Sequence, residues 1–233
     1  MKSTFAAGAV LALLAATPAG AADLSHRMPV KAPIAPPPLT WTGCHVGVHS
    51  GYGWSASDWS GAPPADTNPK GFVGGAQLGC DYQMSNWVIG LSGAWSWADM
   101  HDNPIVSDGL SSAEFSSRTR WIATATARAG FAWDRALIYA TGGAAFANNK
   151  YDFTGLTGIP AGAVGSATET RAGWVAGGGL EYALAPNWSA ALEYNYMDLG
   201  TKTVQLTGNG IFLPTDIKQT IQTVTLGLNY RFY

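Results

Sequence analysis

From residue 41 onward, large apolar residues alternate with small or polar ones at a period of two, the spacing of a strand whose two faces meet different surroundings. Between 42 and 54 the even positions carry Cys44, Val46, Val48, Tyr52 and Trp54, and the odd ones Gly43, His45, Gly47, His49 and Gly51. Between 87 and 97 the device repeats: Trp87, Ile89, Leu91, Trp95 and Trp97 share one face, and Gly90, Ser92, Ala94 and Ser96 the other. A soluble sandwich sets such a greasy face inside and lines the opposite one with Lys and Glu. Those charges are missing.

Eight segments follow this rule, at 40–54, 71–84, 87–98, 117–132, 136–147, 168–184, 188–199 and 219–232. The connections alternate in length: 55–70, 99–116, 148–167 and 200–218 are long, whereas 85–86, 133–135 and 185–187 are short. Four long loops at one end and short turns at the other predict an all-β fold, an eight-stranded antiparallel up-and-down transmembrane barrel with periplasmic termini and extracellular long loops. Closure satisfies every backbone group in lipid, as an open sheet does not.

The aromatic residues fall toward the two ends of the segments. Trp41, Tyr82, Trp87, Phe131, Tyr139, Tyr182, Trp188, Tyr230 and Phe232 lie near the short turns; Tyr52, Trp54, Trp95, Trp97, Trp121, Trp174, Tyr194 and Tyr196 lie near the long loops. Trp87 and Trp95, eight residues apart, are separated by roughly 20 Å along the membrane normal at a strand tilt near 40°, close to an apolar band of about 25 Å. Two interfacial girdles are expected.

Composition sharpens this reading. Only 12% of the 233 residues are charged although 10 are Trp and 29 Gly, against about 25% charged residues in ordinary soluble domains. A net charge of -2 excludes a basic nucleic-acid surface. The longest apolar stretch, 6–16, is too short for a membrane helix. With Lys2 before it and a Thr17-Pro18 break before small residues, it reads instead as the centre of a signal peptide over 1–22, cleaved near Ala22. Residues 23–39 form a Pro-rich periplasmic leader, with five prolines between Met28 and Pro38, extended and serving as a spacer. The barrel domain is expected over 40–233.

The few charges within segments fall on the parity opposite the apolar residues. Asp81, Arg120, Arg128, Arg171, Glu181, Glu193 and Arg231 are therefore expected in the lumen as a polar network, because an eight-stranded barrel is just filled by its side chains. Ion pairing is their expected role. Glu181 and Glu193 lack a cleft for acid/base work on a sugar. His45 and His49 share a face, but four residues along a strand is about 13 Å, too far for one metal ion. Gly74 to Gly79 lacks the Lys-Ser/Thr of a phosphate loop, and no G-x-S-x-G elbow occurs. No catalytic residue, metal or cofactor is predicted.

Trp41-Thr-Gly-Cys-His-Val-Gly-Val-His-Ser-Gly-Tyr-Gly, Gly71-Phe-Val-Gly-Gly-Ala-Gln-Leu-Gly, Ala127-Arg-Ala-Gly-Phe-Ala-Trp-Asp-Arg, Leu137-Ile-Tyr-Ala-Thr-Gly-Gly-Ala-Ala, Leu192-Glu-Tyr-Asn-Tyr-Met-Asp-Leu-Gly and Gly227-Leu-Asn-Tyr-Arg-Phe resemble the porin-like outer-membrane immunogenic proteins of alphaproteobacteria. The resemblance covers residue 40 to the end. It implies an exposed barrel of the cell outer membrane that contributes to envelope integrity and host contact. The implied partners are outer-membrane lipid and lipopolysaccharide, the barrel assembly machinery and, through the long loops, host surface molecules. A narrow channel for small solutes is the alternative.

The chain departs from this family at Cys44, where an aromatic is usual, and at Tyr233, which follows the expected terminal Phe232. Cys44 and Cys80 lie on the outward parity near the periplasmic ends of neighbouring strands, and export meets an oxidising compartment. A cross-strand disulfide is expected, with two free lipid-facing thiols as the alternative. Tyr230, Phe232 and Tyr233 are the candidate C-terminal assembly signal. Tyr233 either takes the terminal role or shifts the register by one residue.

Overall fold

The structure, a computed structural model, describes residues 39–60, 65–102, 105–107, 112–157, 164–208 and 211–232. The expected signal peptide over 1–22, the expected leader over 23–39 except Leu39, residues 61–64, 103–104, 108–111, 158–163 and 209–210, and Tyr233 lie outside them. In chain order the elements are β1 (Gly43–Ser60), β2 (Ala65–Thr67), β3 (Lys70–Met84), β4 (Trp87–Asp102), β5 (Ile105–Ser107), β6 (Ser112–Trp133), β7 (Ala136–Thr157), β8 (Val164–Ala185), β9 (Trp188–Gly208) and β10 (Ile211–Phe232). Eight are long, and β2 and β5 are short additions at the loop end.

The long strands pair antiparallel in the order β10-β9-β8-β7-β6-β4-β3-β1, and β1 pairs back onto β10. The seam runs from Cys44 opposite Phe232 to Ser60 opposite Asp216. Sequential neighbours pair because two-residue turns leave no other partner. Ser85 and Asp134 enter their turns at φ 56° and 52°, the left-handed geometry that matches strand twist across such turns.

The expected long loops are largely strand. Residues 148–157 and 164–167 continue β7 and β8, and 200–208 and 211–218 continue β9 and β10. Alternation in the sequence stops where outward positions leave hydrocarbon and face water, but the backbone ladder does not need that contrast. A strand of 22 residues rises about 55 Å along the barrel axis at 3.3 Å per residue and a tilt near 40°, roughly twice the apolar band.

The core is the lumen. Val73, Met100, Ile122, Val175, Met197 and Ile221 form an apolar layer with several small residues. Trp41, Val88, Ala132, Leu137, Tyr139 and Ala183 form a second one near the turns. On the outer wall Leu91 is 69% exposed and Trp97 66%. Trp41 and Tyr139, expected in the periplasmic girdle, are corrected to the lumen, at 3% and 5% exposure. Tyr139 lies on the inward parity of β7 and Trp41 on the chain just before β1, and both rings find guanidinium partners there.

Candidate functional site

Asp81 on β3, Arg128 on β6, Glu181 on β8 and Arg231 on β10 come from four strands to one level of the lumen, all buried. Arg128 donates from Nε to Asp81 Oδ1 at 2.6 Å, from Nη2 to Asp81 Oδ2, and from Nη1 to Glu181 Oε2 at 3.1 Å. Arg231 donates from Nη1 to Asp81 Oδ2 at 2.7 Å and to the Trp41 carbonyl, and its Nη2 lies 3.6 Å from Glu181 Oε1. Two cations and two carboxylates therefore form a plate across the barrel. Such ions stay charged out of water only when paired and hydrogen-bonded.

Further partners complete the carboxylates. Ser189 Oγ donates to Glu181 Oε1 at 2.5 Å and Asn229 Nδ2 to the same oxygen at 3.2 Å. His45 Nδ1 lies 3.4 Å from Asp81 Oδ2. Each guanidinium also covers an aromatic face, Arg128 over Tyr139 at 5.1 Å and Arg231 over Trp41 at 5.3 Å. The chain before β1 thus caps the short-turn mouth of the barrel with Trp41. Ser189, Asn229, Trp41 and Tyr139 were not predicted for this site, although their inward parity was visible in the sequence.

The other candidate ions lie elsewhere. Glu193 accepts from Tyr139 Oη at 2.8 Å and from Asn195 Nδ2 at 2.7 Å, on the wall of a small cavity above the plate. That cavity of about 40 Å³, also lined by His49, Gln77 and Ser96, has room for a few ordered waters. Above it lies the Met100 layer, and beyond that Arg171, whose Nη1 donates to the Ile217 carbonyl at 2.8 Å and whose guanidinium covers Tyr151 at 5.6 Å. Tyr151 and Asn149 bond Gln219 at the same end.

Arg120 is a correction. It is exposed, because β6 carries an extra residue where Thr119 faces Asn149 and Trp121 faces Asn148. This bulge turns Arg120 outward, and parity counted straight through it fails. Cys44 and Cys80 face each other on β1 and β3 and are joined as a disulfide. His45 and His49 both point inward, His49 Nε2 reaching Ser96 Oγ at 2.8 Å, and the described residues contain no cluster able to hold a metal ion. Tyr230 meets both Trp188 and Phe232 edge to face on the outer face beside the seam.

The chain matches the outer membrane protein beta-barrel domain over residues 7–232. It belongs to that family. It is 34% identical to the 31 kDa outer-membrane immunogenic protein of Brucella melitensis biotype 1, over the whole of both chains. It is 29% identical to the 25 kDa outer-membrane immunogenic protein of Brucella abortus biovar 1, over all of this chain and 99% of the relative. Among solved structures, the outer membrane protease OmpT of Escherichia coli superposes with a TM-score of 0.51 at 7% identity, over 83% of this chain and 98% of that one. That likeness is one of fold alone. This outer-membrane barrel therefore meets hydrocarbon with its exposed apolar wall, which explains Leu91 and Trp97, and keeps its charge for the lumen and the loop end.

Proposed function

We propose that this outer-membrane barrel is a closed structural element of the envelope that contacts its surroundings through its extracellular end and carries no catalysis. The observation that supports this reading is the plate of Asp81, Arg128, Glu181 and Arg231, four buried side chains from four strands that hydrogen-bond and ion-pair with one another inside the lumen. The layer of Met100, Ile122, Met197 and Ile221 supports it a second time. A reactive carboxylate needs a free approach, whereas Glu181 is taken up by Arg128, Ser189 and Asn229.

The partners of this reading are outer-membrane lipid and lipopolysaccharide around the wall, the barrel assembly machinery at the Tyr230–Phe232–Tyr233 end, and host surface molecules at the long loops. The signal peptide over 1–22 and the leader over 23–39 belong to the same proposal, as the route of export. A narrow channel is the second reading, favoured by the polar cavity between the two layers. Planar-bilayer recording of the folded protein separates them: the closed barrel gives no stepwise conductance, and regular openings would establish the channel. A deletion strain with raised envelope permeability, restored by the wild-type chain, is the matching result in cells.

A further inference from the structure

The outer wall carries a row of basic side chains that the closed-barrel reading leaves unused. Lys70 on β3 lies directly opposite His101 on β4, His101 opposite Arg118 on β6, and Arg118 opposite Lys150 on β7. All four are exposed, and the bulge turns Arg120 out beside them. Directly opposed partners stand about 5 Å apart, and like charges placed so repel. Asp99 takes Arg118 at 2.8 Å and Asp152 takes Lys150 at 3.0 Å. Among the described residues, no carboxylate pairs with Lys70 or Arg120. At this height four fixed cations thus face two carboxylates, Glu114 standing four residues farther along β6 toward the loops. On the other half Lys218 shares the outer face with Asp216 and Asp198, and Lys202, opposite inward Ile217, is bonded to Glu169 at 2.5 Å, so the excess is one-sided.

Height identifies what the row meets. Phe72, Trp97, Trp121 and Phe146 lie just below it on the same four strands, with Trp95 and Trp121 stacked at 4.5 Å between ring centroids. An aromatic belt marks the edge of the hydrocarbon, and residues immediately beyond it on the long-loop side lie at the headgroups of the outer leaflet. Guanidinium and ammonium groups at that depth suit phosphate oxygens, Arg in bidentate fashion.

We infer that Lys70, His101, Arg118, Arg120 and Lys150 form a lateral binding site for the phosphorylated headgroup of an outer-leaflet glycolipid, whose acyl chains lie over the aromatic residues below. This rests on the proposed contact with lipopolysaccharide and names the surface that makes it.

The test uses the full folded chain in phosphatidylcholine bilayers containing lipid A with brominated acyl chains, either phosphorylated or with its phosphates removed. Quenching of the tryptophans reports lateral binding, because Trp97 and Trp121 lie beneath the row. The wild type is expected to prefer the phosphorylated lipid by about tenfold, the sum of several modest exposed ion pairs. K70Q/R118Q/R120Q/K150Q should lose this preference while keeping its heat-dependent mobility shift, and K202Q/K218Q should keep both. Equal quenching by the two lipids, an equal loss in the control variant, or displacement by inorganic phosphate at the concentration of the lipid would overturn the site. Any of these leaves the closed barrel standing, since that reading fails only on conductance.

Discussion

Arg128 holds both oxygens of Asp81 through Nε and Nη2, joining residues 47 apart in sequence across β3 and β6, strands that are separated by β4. The bond spans the lumen instead of running along the sheet, and it is the centre of the charged plate.

Asp81→Asn leaves Arg128 and Arg231 without their shared carboxylate. Breaking one partner of a buried ionic group costs about 3–5 kcal/mol, so the urea midpoint of the folded barrel in detergent should fall accordingly. Replacing Asp81 and Arg128 together by Asn and Met removes the orphaned charge and should cost clearly less than Asp81→Asn alone. A double variant as unstable as the single one contradicts the pairing.

Gly90 lies opposite Asp81, and a Cβ there would stand 2.1 Å from Asp81 Oδ1. Gly90→Ala therefore pushes the carboxylate off Arg128 and should destabilise by about 1–3 kcal/mol. Gly93, three residues farther along β4, has only a carbonyl at 3.6 Å, so Gly93→Ala should be nearly neutral in the same unfolding assay.

Leu91 projects from the outer wall midway between Trp87 and Trp95 and is 69% exposed. Leu91→Arg at that depth should cost about 2–4 kcal/mol in a lipid bilayer. Folding yield into vesicles, read as the fraction of heat-shifted band, should drop sharply. An unchanged yield would mean that the wall at Leu91 does not face hydrocarbon.

The Cys44–Cys80 disulfide closes a loop with a sequence separation of 36. In the chain-entropy account it contributes about 4 kcal/mol by limiting the unfolded chain. Cys44→Ala/Cys80→Ala should lower the urea midpoint, and prior reduction should do the same to the wild type while leaving the double variant unmoved.

The alternation from Trp87 to Trp97 was enough to assign a lipid face, and the uneven connections were enough to count eight strands. The lumen ions Asp81, Arg128, Glu181 and Arg231 were visible as inward charges in otherwise apolar segments. Their grouping was not visible, because strand tilt and stagger decide which rungs meet across the barrel. Arg120 shows the limit most sharply: one extra residue in β6 reverses a parity that neighbouring residues state plainly, and nothing at Thr119 or Trp121 announces it.

Period-two contrast is a local property, written wherever one face meets hydrocarbon and the other does not, so it delimits the lipid band, the girdles and the strand count along the chain alone. Its signal ends with the lipid, which is why the water-exposed ends of β7 to β10 read as loops. Contacts across the lumen and along a rung have no local signature. The plate, the capping by Trp41 and the basic row from Lys70 to Lys150 exist only once closure and register bring distant strands to one height.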